Sequence, residues 1–374
     1  MRLLVSTINK ATSTLKSSQY NQCMESPWSL DKKNYSDLLS SEPKFRVEQI
    51  WDGLYLRGNS ISDISTLPDQ IRTQLSEDLS PSLNPIAVQS SEDKLTSKWL
   101  FELPDKATIE TVLMHYEQRS TVCISSQAGC AMACGFCATG QAGYTRNLTL
   151  GEILEQIVAA QNACKALDRR LSNVVFMGMG EPMANFPIVL RSLKRIMNDL
   201  QIGARNITVS TIGLIPQMNN LAKEKLQIGL AVSLHAANDE LRTELIPINK
   251  RYPLKDLVVA CKNYRELTGR RVSFEWAMIE DTNDSDTDAI QLAEIATEAN
   301  AHVNLIPLNP TPGWPTKGSS KQQINTFVEI LEDEGVNVTV RKNRGVEISA
   351  ACGQLATETK STKVKITKKQ DEPK

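Results

Sequence analysis

Residues 121–137 read TVCISSQAGCAMACGFC, and residues 149–152 read TLGE. Val122-Cys-Ile124 is a short apolar run of strand type, and the loop after it carries Cys130, Cys134 and Cys137. Thr149-Leu-Gly-Glu152 is a capping box, and Leu150, Ile153, Leu154, Ile157 and Val158 behind it share one helical face. The same strand-then-helix alternation returns in the apolar runs 174–177, 207–209, 228–234, 272–274, 303–306 and 336–340. Ser320-Lys-Gln-Gln323 opens a further helix with Ile324, Phe327, Val328 and Leu331 inward and Gly335 placed to end it. Strands spaced by helices run parallel with right-handed crossovers, so the fold class is α/β, either an open doubly wound sheet or a full or partial barrel. In both, ligands gather at the carboxyl ends of the strands, where the cysteine loop lies.

Outward from this block the pattern changes. Residues 1–35, rich in Ser, Thr, Asn and Lys, read as a flexible leader. Residues 36–85 form a small helical module: Phe45–Trp51 has a three-to-four spacing, and Ile64, Leu67, Ile71 and Leu75 pattern as a second short helix. Residues 86–120 carry short extended segments and read as a linker or hairpin extension leading into a main domain over 121–356. Residues 357–374 form a Lys-rich tail expected to be disordered. With 374 residues, 42 Lys plus Arg against 43 Asp plus Glu, and 41% apolar residues, the chain is that of a globular protein without a global field for nucleic acid. No run of 18 apolar residues occurs, so no membrane span is expected.

Four of the eight cysteines fall within residues 123–137. Cys164 and Cys261 sit in helix-like apolar patterns and read as buried small thiols, and Cys23 lies in the polar leader. Cys130, Cys134 and Cys137 have Cx3Cx2C spacing. Structural zinc takes four Cys or His ligands, and His115, His235 and His302 stand at no zinc-knuckle spacing to the loop. A 4Fe-4S cubane is held by three cysteines with its fourth iron open, and thiolates suit it.

Those three cysteines, with Phe136 before the last, resemble the radical S-adenosylmethionine signature. Cys123-Ile-Ser-Ser-Gln-Ala-Gly-Cys130, Phe176-Met-Gly-Met-Gly-Glu-Pro182, Leu230-Ala-Val-Ser-Leu-His-Ala236 and Ala350-Ala-Cys-Gly-Gln-Leu355 resemble the RlmN family of adenine-2 RNA methyltransferases from about residue 45 to residue 355. The resemblance implies a partial (β/α)6 barrel carrying a 4Fe-4S cluster on Cys130, Cys134 and Cys137. It implies cofactor contacts from Gly180, Glu181, Ser210, Ser233, Leu234, His235 and Asn309. By themselves these positions also read as a tight βα turn and as polar strand ends satisfied locally.

The resemblance further implies that Cys352 is methylated and delivers its carbon to RNA, that Cys123 then forms a transient disulfide with it, and that Glu110 is the general base. Read alone, Cys352 is a buried thiol or one on a closely approached loop, and Glu110 is a strand carboxylate facing solvent. Two S-adenosylmethionine molecules are used per turnover in this scheme, one as methyl donor and one cleaved reductively. The implied substrates are an adenine of 23S rRNA in the peptidyl-transferase centre and one at position 37 of tRNA, with an electron donor and a thiol reductant as further partners. A cytoplasmic monomer is expected. The basic groups at Arg191, Lys194, Arg195, Lys250, Arg251, Arg270, Arg271, Arg341, Lys342 and Arg344 are candidate phosphate contacts, each also readable as ordinary surface. Two rival readings stand beside this one: a Cfr-type enzyme acting on carbon 8, and a noncatalytic RNA-binding protein stabilised by zinc in the cysteine loop.

Overall fold

The computed structural model describes residues 25–355 apart from 312, 315, 316 and 343. Most of the expected leader and the whole Lys-rich tail therefore lie outside the described residues, as does Cys23. Residues 25–35 correct the leader boundary. Glu25 bridges Leu79, Pro27–Ser29 form a turn of 3-10 helix, and Trp28, Leu30 and Tyr35 are buried. Their spacing follows neither helical nor strand period, so the polar residues between them masked a segment that the apolar effect pulls inward.

The helical module comprises α1 (Lys32–Leu38), α2 (Phe45–Trp51) and α3 (Asp69–Asp78). Asp31 caps α1 through a reciprocal capping box. The α2 chain widens into a π turn over Asp52–Arg57, which Gly58 ends in the left-handed region at φ 70°. Ile64 and Leu67 precede α3 rather than lie in it, because Pro68 pushes its predecessor out of helical geometry; both are buried all the same.

Of the two readings of residues 86–120, linker or hairpin extension, the structure shows the second. These residues belong to β1 (Asn84–Ser90), β2 (Thr96–Glu102) and β3 (Thr108–His115), an antiparallel meander whose last strand pairs with β4 (Ser120–Cys123). After β4 come β5 (Gln127–Gly129), α4 (Ala138–Ala142) and β6 (Tyr144–Asn147); β5 and β6 pair and brace the cysteine loop. The alternation then runs α5 (Leu150–Lys165), β7 (Leu171–Phe176), α6 (Phe186–Asn198), β8 (Ile207–Thr211), α7 (Ile215–Lys223), β9 (Gly229–Ser233), α8 (Asp239–Leu245), α9 (Leu254–Thr268), β10 (Ser273–Met278), α10 (Asp286–Ala299), β11 (His302–Pro307), α11 (Lys321–Asp333) and β12 (Val338–Val340). The sheet order is β1-β2-β3-β4-β7-β8-β9-β10-β11-β12, with every pair from β4 onward parallel. This is the partial barrel: β4 and β7 to β11 make its six principal strands, β12 adds a short seventh, and β1 to β3 extend the other edge.

Val122, Val174, Val209, Val232, Phe274 and Leu305 on these strands are fully buried, and one contiguous apolar core includes Trp28, Ile50 and Leu75 of the helical module. The module is therefore packed on the barrel rather than tethered to it. Arg195 of α6 donates to Leu30 O at 2.8 Å and to the Tyr55 hydroxyl, pairs with Asp199 at 2.8 Å and lies over the Trp51 ring. These contacts spend Arg195 on the interface, and Lys194 pairs with Glu224.

Glu155 of α5 is the polar counterpart of that interface. Its carboxylate accepts from Ser26 Oγ at 2.5 Å, from Ser82 N at 2.9 Å and from Leu83 N at 3.0 Å, tying both ends of the module to the barrel. Burial pushes the carboxyl up to about 7, outweighing those donated hydrogen bonds. Because the folded group binds its proton more tightly than the unfolded one, its contribution is full below about pH 4.5 and lost as pH rises through about 7, a fall of about 3 kcal/mol. Glu181 has the same displacement, so the test is a difference. Chemical denaturation at pH 5 and pH 8 is expected to show a smaller decline for Glu155→Gln than for the parent chain, and equal declines would refute the assignment.

Candidate active site at the carboxyl edge of the parallel strands

A cavity opens at the carboxyl ends of the parallel strands. Cys130, Cys134, Cys137, Gly180, Glu181, Ser210, Ser233, His235, Asn309 and Cys352 all line it, although they come from six separate segments of the chain. Cys123, Glu110 and Leu234 do not. Leu234 is fully buried; its N–H donates to Glu275 O at 3.0 Å and its carbonyl accepts from Arg242, so its side chain packs behind the wall rather than forming it.

The cysteine loop is held from two sides. Cys130 N donates to Gly143 O at 2.7 Å, and Ala138 N donates to Gly353 O at 2.8 Å. Thr139 Oγ1 donates to Leu355 O at 2.6 Å, so the end of the loop is bonded to the segment that carries Cys352. Cys134 and Phe136 pack in a small apolar cluster with Ala236, Leu245, Ile246, Ala277 and Ile279. Burial pushes Cys130 up to about 12 and raises Cys134 and Cys137, while the charges of the loop cysteines on one another raise Cys134 further. The three thiols thus keep their protons until a metal displaces them.

The residues fit a thiolate-bound cluster with an organic ligand beside it. Cys130, Cys134 and Cys137 line one cavity together with Asn309 and the polar ends of β8 and β9. Asn309 is 2% exposed; its Nδ2 donates to Cys352 O at 3.0 Å, and its Oδ1 is buried with no partner among the described residues. An unpaired buried acceptor in a cavity wall calls for a donor on the ligand.

Gly180 takes φ 95°, and a Cβ there would lie 2.5 Å from Gln127 Cβ. Glu181 N donates to Gln127 Oε1 at 2.9 Å, and the Glu181 carboxylate accepts from Ile212 N and Met183 N, each at 2.9 Å. Its local hydrogen bonds thus shape the βα turn. Burial still pushes the carboxyl up to about 7, so a cationic group in the cavity would favour its ionised form. Gly180→Ala is expected to cost roughly 2–3 kcal/mol from backbone strain and collision. A fall in melting temperature together with weakened binding of S-adenosylmethionine would register it, and an unaltered melt would contradict it.

His235 sits at φ 58°, and its Nδ1 accepts from Ala277 N at 2.9 Å. Burial pushes the imidazole down to about 3, with the Arg242 charge adding to the effect, so the ring is neutral with its proton on Nε2. Phe136 meets this ring edge-on at 4.9 Å. Ser210 and Ser233, at the ends of β8 and β9, complete that side of the wall.

Cys123 and Cys352, 229 positions apart in sequence, are brought near one another by the fold. Burial pushes Cys123 up to about 12, and the neighbouring Cys352 adds to it, while Arg341 opposes. Glu110 is buried on β3 and pairs with Lys98 at 2.8 Å; Lys98 Nζ also donates to Ser349 O at 3.2 Å, joining the Glu110 strand to the turn before Cys352. Glu110 therefore does not face solvent.

Two residues of the site escaped the sequence reading. Arg341, grouped there with surface cations, lines the cavity with Glu275 at 3.9 Å and is held in its charged form chiefly by Cys352. Arg242 gave no signal, since an Arg in the pattern Asp-Glu-Leu-Arg of a helix reads as solvated. Only its burial distinguishes it. Arg344 stacks on Tyr116 at 4.5 Å and donates to His115 O, so it too has local partners.

Comparison with known proteins agrees with this architecture. Residues 124–293 match the Radical SAM superfamily. The chain is 46% identical over 337 residues to a probable dual-specificity RNA methyltransferase RlmN of Chloroflexus aurantiacus, covering 86% of this chain and 90% of that protein. It is 47% identical to the protein of the same description from Mycolicibacterium smegmatis, covering 84% of this chain and 90% of the relative. A radical SAM methyltransferase crystal structure from Sphaerobacter thermophilus superposes with a TM-score of 0.87 at 44% identity, over 89% of this chain and 100% of that one.

Proposed function

Because this chain belongs to the RlmN family of radical SAM RNA methyltransferases, we propose that it methylates carbon 2 of an adenine in 23S rRNA and in tRNA, through a methyl group carried on Cys352. Cys130, Cys134 and Cys137 hold the 4Fe-4S cluster, and the cavity wall at Gly180, Glu181, Ser210, Ser233, His235 and Asn309 receives S-adenosylmethionine. Together the two would supply hydrogen-atom abstraction from the methyl group carried on Cys352, a radical route that carbon 2 of adenine needs because that carbon is electron-poor and cannot attack a sulfonium.

The chain's own residues do the rest. Cys352 accepts a methyl group from a first S-adenosylmethionine and presents it to the cavity while a second occupies the cluster site, so two are consumed per turnover. Glu110, paired with Lys98 at 2.8 Å, removes the ring proton, a step worth about 10²- to 10⁴-fold when the base lies within hydrogen-bond reach. Cys123 then attacks the Cys352 sulfur, so that an S–S bond forms as the S–C bond to the RNA breaks and the released carbon takes up a proton to complete the methyl group; Cys123 must first lose a proton that burial holds tightly, and an external thiol returns two electrons to the disulfide. The adenine must be unstacked to enter the cavity, as in RNA loops.

The observation carrying this reading is the convergence on one cavity of three loop thiols and Cys352, with Cys123 behind it. Anaerobically reconstituted protein, reductant, S-adenosylmethionine and each RNA, followed by mass spectrometry of the nucleosides, should yield 2-methyladenosine. 8-Methyladenosine as the main product would overturn the proposal in favour of the Cfr-type reading.

A further inference from the structure

Arg242 lies on α8 with 1% of its surface exposed, immediately behind the cavity wall. Its Nε donates to Leu234 O at 3.1 Å, its Nη1 to Asn249 Oδ1 at 2.6 Å, and its Nη2 to Ile212 O at 2.8 Å and Ser233 O at 3.2 Å. Every one of these acceptors is neutral. Asp239, the acid one turn earlier, is occupied by Asn249 Nδ2 at 2.9 Å and Leu254 N at 2.8 Å. Leu241 and Leu245 of the same helix pack in one apolar cluster with Cys134 and Phe136, so α8 lies against the cysteine loop.

A buried guanidinium without an ion partner is costly, and such a charge is tolerated where a counter-charge arrives. Three cysteine thiolates around a 4Fe-4S core leave formally one negative charge in the oxidised state and two in the reduced state. The potential of such a centre follows its net charge and the charges packed against it. The carbonyls of Ile212, Ser233 and Leu234, which Arg242 gathers, belong to the ends of β8 and β9 beside the same cavity.

We propose that Arg242 is the positioning residue that compensates the charge of the cysteine-loop cluster, favouring its reduced state, while its fork holds the ends of β8 and β9 in place to receive the cofactor. This rests on the functional reading above, and the two roles separate by substitution. Arg242→Lys keeps the cation and loses the fork; Arg242→Met keeps the approximate volume and loses both.

The full-length chain, anaerobically reconstituted and without S-adenosylmethionine, would be titrated electrochemically and followed by EPR. In Arg242→Met the reduced-to-oxidised ratio at a fixed potential is expected to fall about tenfold, a midpoint about 59 mV lower for one electron. Arg242→Lys is expected to keep the parent ratio within about threefold while its thermal stability drops with the lost carbonyl contacts. An unchanged ratio in an iron-replete Arg242→Met protein overturns the inference. If Arg242→Met takes up no iron, uptake by Arg242→Lys supports the charge role, and failure of a folded Arg242→Lys chain to take it up overturns that role. A parent chain without a cluster instead removes the functional reading itself, and this inference with it.

Discussion

Cys352→Ala is expected to bring RNA methylation to background while reductive cleavage of S-adenosylmethionine persists. The thiol can be removed without dismantling its surroundings, because the loop is held by backbone. Asn309 Nδ2 grips Cys352 O, Ala138 N reaches Gly353 O, and Gln354 Nε2 donates to Pro310 O at 3.1 Å. The thiol itself is half-buried, so its loss should cost about 1 kcal/mol or less of stability. Separate assays of 5'-deoxyadenosine and of methylated nucleoside would therefore diverge. Cys123→Ala provides the complementary result: methyl transfer begins, the RNA remains attached to Cys352, and the adduct migrates as a slower band on a denaturing gel. Full methylation by Cys352→Ala would end the carrier role, and free product from Cys123→Ala would end the resolving role.

Cys134→Ala should abolish both assays, together with iron binding. Cys134 is 7% exposed and sits among Phe136, Ala236, Leu245, Ile246, Ala277 and Ile279, a setting that tolerates an alanine. Two remaining thiols cannot replace the third at a cluster that already has one open iron. The informative controls are Cys164→Ala and Cys261→Ala, buried cysteines of α5 and α9 that do not line the cavity. They should retain full iron content and lose roughly 1 kcal/mol of stability from a small packing defect. Iron retained by Cys134→Ala, or lost from either control, would show that the ligand set has been misassigned.

The βα alternation, the capped helix behind Thr149 and the Cx3Cx2C loop were readable in the chain because each rests on spacing within a few residues. A capping box or an apolar period is a local property, and it survives whatever the rest of the molecule does. The same locality explains the errors. Trp28, Leu30 and Tyr35 have no period, and their burial depends on a barrel surface formed far away in sequence. The segment 86–120 was legible as extended strands of a hairpin, but nothing within it announces that β3 will pair with β4 and so join the main sheet.

What the linear chain determined was the class of fold and the close spacing of the three loop thiols, since periodicity and local spacing are encoded between near neighbours. Tertiary structure alone decided which charges face the chemistry: Arg195 became part of a helical interface, Arg341 a wall beside Cys352, and Arg242 a buried cation behind the cysteine loop. The reason is physical, since the energy of a charge depends on the dielectric and partners around it, and these come from segments that meet only when the barrel closes around them.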